Sequence, residues 1–282
     1  MPNRILVTGA TGNIGGEIAR QLKDKGADFV AGSSAGAIDG MASVSIDFAD
    51  KASLVDAMQG VSTVFMVLPN HPDMVRWGEN LIDAARESEV SHIVRSSGSL
   101  ADKESSLKIE ELLGTTDEYL KNSGVDYTIT APSFFMQNFI NFFGDNYKSG
   151  AIYQPAGDGS IGWVDVRDIA AVNVEVLLNP KNYSGQSLTI TGAESLSYAE
   201  AVQRMNQTLG REAQYVAVPD EAAIEAMKGL EYPEFIIDVM ISLNQSIRLG
   251  HAEETTSTVK SVLGRPPIGF TQFIADNKNA WL

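Results

Sequence analysis

Seven residues near the start of the chain carry its clearest chemical potential: Gly9-Ala-Thr-Gly12-Asn-Ile-Gly15. They follow an apolar run, Ile5-Leu6-Val7, and lead into a segment with Ile14, Ile18 and Leu22 at helical spacing. The pattern is strand, glycine turn, helix. Each glycine has its own physical task there. Gly9 permits a tight turn as the strand ends. Gly12 carries no side chain that would hold a pyrophosphate off the backbone. Gly15 lets the helix pack closely on the sheet. The first N–H groups of a helix lack intrahelical partners and face the turn, which favours an anion. With these flanks, the glycine pattern predicts nucleotide binding.

Further candidates fall at the ends of other apolar runs. A carboxylate after the second strand would select NAD, and an arginine there would accept the 2′-phosphate of NADP. This chain has Gly32-Ser33-Ser34. Ser33 and Ser34 either hold a phosphate with their hydroxyls and backbone N–H groups or only form a turn; the reading favours NADP. Asp47-Phe48 follows the third strand, where an adenine ring would lie. Val67-Leu68-Pro69 ends the fourth strand, at the edge where such sheets place the inner ribose and nicotinamide. Ser97, in Ser96-Ser97-Gly98, ends the fifth. Its hydroxyl either donates to a substrate carbonyl, as the catalytic candidate, or caps the strand. No Tyr-x-x-x-Lys pair follows: Tyr119 precedes Ser123 and Tyr127 precedes Ala131 at that spacing. Reduction of a plain ketone, which needs a proton for the developing alkoxide, is thereby disfavoured. Hydride acceptors that tolerate charge, such as quinones, cationic dyes and iminium ions, remain. His71, in a proline-flanked loop, is the histidine nearest this edge and reads as a surface residue.

Positioning these residues requires parallel strands alternating with helices. Strands are expected at Ala27–Gly32, Val44–Asp47, Val61–Leu68, His92–Ser96 and Tyr127–Ala131. Helices are expected near Ala52–Gln59, Asp73–Glu89 and Leu107–Asn122. This alternation predicts an α/β fold, a Rossmann-type doubly wound parallel sheet. After Pro132 the rhythm breaks into an aromatic stretch, Phe134 to Phe143. Helical spacing there would put Phe135, Phe139 and Phe142 or Phe143 on one face, as core, dimer contact or wall of a flat substrate pocket. Phe134, Phe135 and Met136, with Tyr153 and Trp163 downstream, are the substrate-binding candidates. A helix is expected at Asp165–Leu178 and a strand at Ser187–Thr191. Mainly helical chain follows from Ser197. The expected organisation is a dinucleotide-binding core over 1–132 with 164–190 returning to it. Residues 133–163 and 191–282 then form a smaller, mainly helical C-terminal substrate lobe.

Bulk properties narrow the function. A chain of 282 residues with 44% hydrophobic content can bury a full core. A net charge of -15 argues against nucleic-acid and anionic-membrane partners, both of which need a basic face. Cysteine is absent and the three histidines are scattered, so no metal is expected. No apolar run approaches the roughly 18 residues of a membrane span. With the first strand expected from about Arg4, there is no room for a signal peptide and the expected location is cytoplasmic. The expected partner is a small-molecule substrate, and the protein is expected to be a monomer or homodimer.

The chain resembles the NmrA-like group of atypical short-chain dehydrogenase/reductases, of the NAD(P)H:quinone oxidoreductase and triphenylmethane reductase type. The marks are Val7-Thr-Gly-Ala-Thr-Gly-Asn-Ile-Gly15, Asp47-Phe-Ala-Asp-Lys-Ala-Ser-Leu54 and Gly60-Val-Ser-Thr-Val-Phe-Met-Val67. Ser123-Gly-Val-Asp-Tyr-Thr128, Gly157-Asp-Gly159, Trp163-Val-Asp-Val-Arg-Asp-Ile169 and Leu263-Gly-Arg-Pro-Pro267 add to them. The resemblance implies an extended Rossmann fold and a reductase with the dinucleotide across the sheet edge. It implies cofactor contact at Gly9, Thr11, Gly12, Asn13, Ile14, Ser34, Asp47, Phe48, Leu68 and Ser97. Two positions depart from the pattern. Ser34 stands where many relatives have an arginine, and Leu113-Gly114 stands where they often carry a catalytic lysine or histidine. Asp165, Arg167 and Asp168 read as structural, a helix start and its ion pair. Two other functions share this sequence pattern: a non-catalytic dinucleotide sensor, and a biosynthetic reductase of one imine, iminium or enone metabolite.

Overall fold

A computed structural model describes residues 4–34, 36–38 and 40–281. Met1–Asn3, Ala35, Asp39 and Leu282, which the expected domain ranges include, lie outside the described residues. The first half reads β1 (Ile5–Val7), α1 (Asn13–Asp24), β2 (Phe29–Ser33), β3 (Ser43–Ser45), α2 (Lys51–Ala57) and β4 (Thr63–Met66). It continues with α3 (Met74–Glu87), β5 (His92–Ser96), α4 (Lys108–Lys121) and β6 (Asp126–Pro132). Then come α5 (Asn138–Asn141), α6 (Gly144–Lys148), β7 (Ala151–Gln154), β8 (Ser160–Ile161), α7 (Val166–Leu178) and β9 (Ser187–Ile190). The rest is β10 (Leu196–Ser197), α8 (Tyr198–Leu209), β11 (Gln214–Ala217), α9 (Asp220–Gly229), α10 (Glu234–Arg248), α11 (Thr258–Leu263) and α12 (Phe270–Asp276).

The chain forms two compact units. The first comprises residues up to Glu104, Glu110–Ala131 and Ile169–Thr189; the second comprises Ser105–Ile109, Pro132–Asp168 and the chain from Ile190. In the first, seven strands form one sheet in the order β3-β2-β1-β4-β5-β6-β9. The pairs β2–β3, β1–β2, β1–β4, β4–β5 and β5–β6 are all parallel. The chain runs outward from β1 through β2 to β3, then restarts on the other side of β1 at β4. This reversal opens a crevice beyond the C-terminal ends of β1 and β4, where open sheets of this kind bind ligands. β1, β4 and β5 are buried along their whole length, as strands covered on both faces must be. The fold is thus the expected Rossmann-type α/β sheet.

Three local differences from the sequence expectation have hydrogen-bonding causes. β2 begins at Phe29 rather than Ala27, because the Ala27 N–H closes the end of α1 on the Leu22 carbonyl, after Gly26 at φ +65°. β4 stops at Met66 rather than Leu68, because the Val67 N–H donates to Thr8 Oγ1 at 3.0 Å instead of to a strand. The aromatic stretch is not one helix. The Met136 N–H donates to the Val164 carbonyl, and the Val164 N–H to the Phe134 carbonyl. These bonds hold residues 134–136 extended, so helix begins only at Asn138 and breaks before Gly144.

In the second unit β7 pairs with β11 in parallel, and β8 with β10 antiparallel. Its core is aromatic. The Phe139 ring meets Trp163 at 4.9 Å and Phe270 at 5.2 Å, and Trp163 meets Tyr198 at 5.2 Å, all at steep angles. Edge-to-face contact aligns the positive rim of one ring with the negative face of the next.

Candidate functional site

Backbone geometry accounts for the glycine turn. Gly9 has φ +62°, a left-handed conformation, and a Cβ there would lie 2.6 Å from Val67 Cγ1. At Gly15 a Cβ would fall well inside van der Waals contact distance of the Gly9 carbonyl oxygen, with Thr8 O at 2.9 Å. Gly15 is therefore required for α1 to seat on β1. Gly12 is the helix N-cap; its N–H donates to the Gly9 carbonyl at 2.9 Å, and α1's own ladder starts with Gly16 N–H to Gly12 O. Thr11, Gly12 and Asn13 are exposed while the Ile14 side chain is buried. The loop thus offers an open backbone cradle at a helix N-terminus, the feature that fits a dinucleotide pyrophosphate. Thr8 fixes one wall by holding both polar groups of Val67, accepting from its N–H and donating to its carbonyl at 3.3 Å.

The other predicted contacts sort by exposure. Ser33 is buried in β2, so the predicted pair of hydroxyls reduces to Ser34, which is exposed at the strand's end. Val67 and Leu68 are half-buried beyond β4, and Pro69 is exposed. Asp47 is exposed beyond β3, with Oδ1 accepting from the Ala49 N–H at 2.8 Å. The Phe48 ring stacks on Trp77 with centroids 6.1 Å apart, and Trp77 stacks on His71 at 4.0 Å. Asn80 holds the Phe48 backbone, donating from Nδ2 to its carbonyl at 2.9 Å. Trp77, a residue the sequence reading passed over, thus joins the loops after β3 and β4 into one aromatic slab that includes His71. The available signal was an aromatic in the first turn of the helix that follows β4.

At the end of β5 the structure assembles a group that sequence reasoning saw only in part. Ser97 is half-buried, and its backbone N–H donates to the Thr130 carbonyl of β6 at 2.8 Å. Its Oγ donates to Asp117 Oδ2 on α4 at 2.6 Å. Behind Asp117 lies Arg95, 1% exposed, with Nε 3.4 Å from Asp117 Oδ1 and Nη1 donating to the Ser96 carbonyl. Arg95 Nε and Nη2 and Asp117 Oδ1 are buried without a hydrogen-bond partner. Burial pushes the Asp117 carboxyl above the ordinary carboxylate range, against the opposing pull of Arg95, Ser97 and Lys121. Tyr119, two residues on from this acid in α4, donates to Asp83 Oδ1 on α3 at 3.1 Å, and burial pushes its phenol up. It is tied to that carboxylate. The loop after β5 also explains Gly114: a Cβ there would collide with the Asp102–Lys103 backbone. Loop backbone fills the space a lysine or histidine stem would need.

In the second unit, two predicted pocket-wall residues are corrected to core. Trp163 is buried and donates from Nε1 to the Leu196 carbonyl at 3.0 Å, and Met136 is buried beside it in the chain's bridge to Val164. Phe139 and Phe143 are core as well, whereas Phe142 is exposed. Phe134 and Phe135 are half-buried, and Tyr153 is exposed. Asp165 begins α7 and pairs with Arg167 at 2.7 Å; Arg167 also reaches Asp276, and Arg265 reaches Asp168. These pairs tie chain segments together, the structural part the sequence assigned them. No helix among the described residues is long and apolar enough to cross a membrane.

The sequence profile of the NmrA-like family matches residues 1–261. The chain belongs to the NmrA-like family. Among curated proteins it is 35% identical to the NAD(P)H azoreductase of Xenophilus azovorans, covering 95% of this chain and 96% of the relative. Two solved structures match nearly end to end. An Escherichia coli NADPH-dependent quinone oxidoreductase complexed with NADPH superposes with TM-score 0.86 at 21% identity, covering 96% of this chain and 99% of that one. A Citrobacter sp. triphenylmethane reductase complexed with NADP(H) gives TM-score 0.84 at 21% identity, covering 97% and 99%. At these identities the structural likeness speaks for the fold.

Proposed function

We propose that this protein reduces a flat, electrophilic small molecule, a quinone or azo compound first, with NADPH preferred to NADH. The chain is an NAD(P)H-dependent reductase of the NmrA-like family. The observation that carries the finer reading is one sheet edge. β1, β4 and β5 are parallel neighbours, so the glycine cradle after β1 and Ser97 after β5 lie at the same edge. A hydroxyl stands there, and Tyr119, two residues on from Asp117, is bound to Asp83. Acceptors that need no strong acid suit such a site.

When bound, the dinucleotide supplies hydride from its dihydronicotinamide ring. The chain's part is to bind and orient. Thr11, Asn13 and Ile14 would hold the pyrophosphate with backbone N–H groups at the N-terminal end of α1, and Gly9 and Gly12 would leave its approach free of side chains. Ser34 would meet the 2′-phosphate, with no carboxylate in Gly32-Ser33-Ser34 to repel it. Asp47 and Phe48 would take the adenine, and Val67, Leu68 and Pro69 the inner ribose. Holding acceptor and reductant at a fixed distance removes most of the entropic barrier to transfer. Ser97 would orient the acceptor's heteroatom. Phe134, Phe135 and Tyr153 are assigned to substrate selection, and a cytoplasmic location belongs to the same proposal. Similarity to an azoreductase supports the acceptor class.

The test follows loss of reduced-nicotinamide absorbance with NADPH and NADH in parallel, against quinones, azo dyes, cationic dyes and imines, with calorimetric cofactor binding alongside. Saturable oxidation with a quinone or azo acceptor supports the reading. Tight cofactor binding with turnover of imines only moves the protein to the biosynthetic reductases. Binding without any turnover makes it a sensor.

A further inference from the structure

We propose that Asp117 is the proton reservoir of this site, delivering through the Ser97 hydroxyl, with Arg95 as the positioning residue that holds the carboxyl in place. The inference rests on the reductase reading above and deepens it, because two-electron reduction by hydride leaves the acceptor short of one proton.

The geometry separates a proton store from a structural ion pair. A structural pair is expected to be bidentate and fully hydrogen-bonded, since burying two charges costs several kcal/mol that only good geometry offsets. Here the guanidinium stands 3.4 Å from Asp117 Oδ1, and neither Arg95 Nε nor Asp117 Oδ1 has a hydrogen-bond partner. The other oxygen, Oδ2, makes a 2.6 Å contact, and it makes it with Ser97. Asp117 is 5% exposed, so its charged form is poorly solvated. The charged groups bearing on it are Arg95 from β5 and Lys121 from its own helix. Arg95 is itself anchored, through Nη1 on the Ser96 carbonyl, to the end of the strand that Ser97 follows. Strand, acid and hydroxyl are therefore held as one piece.

The proton inventory closes. The Oδ2–H bond of Asp117 breaks as its proton passes to Ser97 Oγ. The original Ser97 O–H bond breaks as that proton passes to the oxygen or nitrogen left with the negative charge once the acceptor has taken hydride from the dihydronicotinamide. The Asp117 carboxylate, left beside Arg95, is reprotonated from water. With Asp117 ionised Ser97 donates inward to the carboxylate, the direction of the observed 2.6 Å bond, and its proton is withdrawn from the acceptor; protonation of Asp117 reverses that bond. The acid form is the productive one, so the rate is full at low pH and falls as pH rises through the Asp117 pKa.

The test has one arm without cofactor and one with it. Isotope-edited NMR of aspartate side-chain carbons in the full chain should show one carboxyl titrating above the usual value of about 3.9. That signal should move in Ser97→Ala and vanish in Asp117→Asn. In turnover, Asp117→Asn should lower kcat about 10–100-fold, leave KM and cofactor affinity unchanged and abolish the alkaline fall, and Asp117→Glu should restore part of it. Because Asp117→Asn alone leaves Arg95 uncompensated, the pair Arg95→Met with Asp117→Asn is the folded control, and it too should lack the alkaline fall. A carboxyl titrating in the ordinary range, or an unchanged pH profile in the Asn variants, overturns the proposal. Cofactor binding with no turnover of any acceptor overturns the reductase reading instead, while the NMR titration still decides whether Asp117 holds a proton.

Discussion

The ends of β1 and β5 are two strands apart in one sheet, and they are built in opposite ways. The end of β1 is made of backbone. Its walls are the amides of a glycine turn, and the side chains that matter there are the ones missing at Gly9, Gly12 and Gly15. The end of β5 is made of side chains, Arg95 and Ser97 from the strand and Asp117 from α4, twenty residues on from Ser97. The first is where the proposed function puts the anion that every dinucleotide carries. The second is buried, charged and incompletely hydrogen-bonded, a costly arrangement of the sort found where function demands it. In the proposed function the shared step, cofactor binding, sits on the part that needs only backbone, and the proposed proton delivery sits on side chains that can be exchanged.

That contrast can be broken by mutation. The largest effect is expected from Arg95→Ala, which leaves the buried Asp117 facing a void where its counter-charge stood. A loss of about 3–5 kcal/mol in urea unfolding is expected, with much less for the joint Arg95→Met and Asp117→Asn change. Equal losses in the two would mean Arg95 matters for packing, not charge. Gly15→Ala comes next. Its Cβ would press on the Gly9 carbonyl, costing about 1–3 kcal/mol and at least tenfold in cofactor affinity. Calorimetry showing unchanged affinity would remove the turn from the cofactor site. Thr8→Val strips the Val67 N–H of its acceptor, at about 1 kcal/mol, and should loosen cofactor binding less than Gly15→Ala does. The smallest change is Ser34→Arg. It should raise the NADPH-to-NADH ratio of kcat/KM about fivefold, roughly 1 kcal/mol from an exposed charge. No change in that ratio would place the 2′-hydroxyl end of the cofactor elsewhere.

Much of the fold was legible because its signals are local. Apolar runs bounded by turn residues located β1, β4 and β5, and the spacing of Ile14, Ile18 and Leu22 located α1, all buried as expected. Three misplaced element ends were local as well, and each arose where an amide bonds outside its own element. Val67 turns to Thr8, Ala27 to Leu22, and Met136 to Val164. The side chains of Trp163 and Met136 read as pocket wall because an aromatic or methionine has the same composition in a core as in a cleft; burial separates them. Trp77 was missed for the converse reason, since a single aromatic on an amphipathic helix reads as core until its stack with Phe48 and His71 is seen.

By itself the sequence determined the alternation of strand and helix, and with it the parallel sheet. It also determined the glycine turn, because steric exclusion at Gly9 and Gly15 acts over a few bonds and so depends on spacing alone. Only the tertiary structure decided what stands behind Ser97. Arg95 and Asp117 are ordinary charged residues in the sequence, one on a strand and one on a helix. They become a buried acid and its counter-charge only once α4 lies against β5. Packing, which no local pattern encodes, removes the water that would have made them unremarkable.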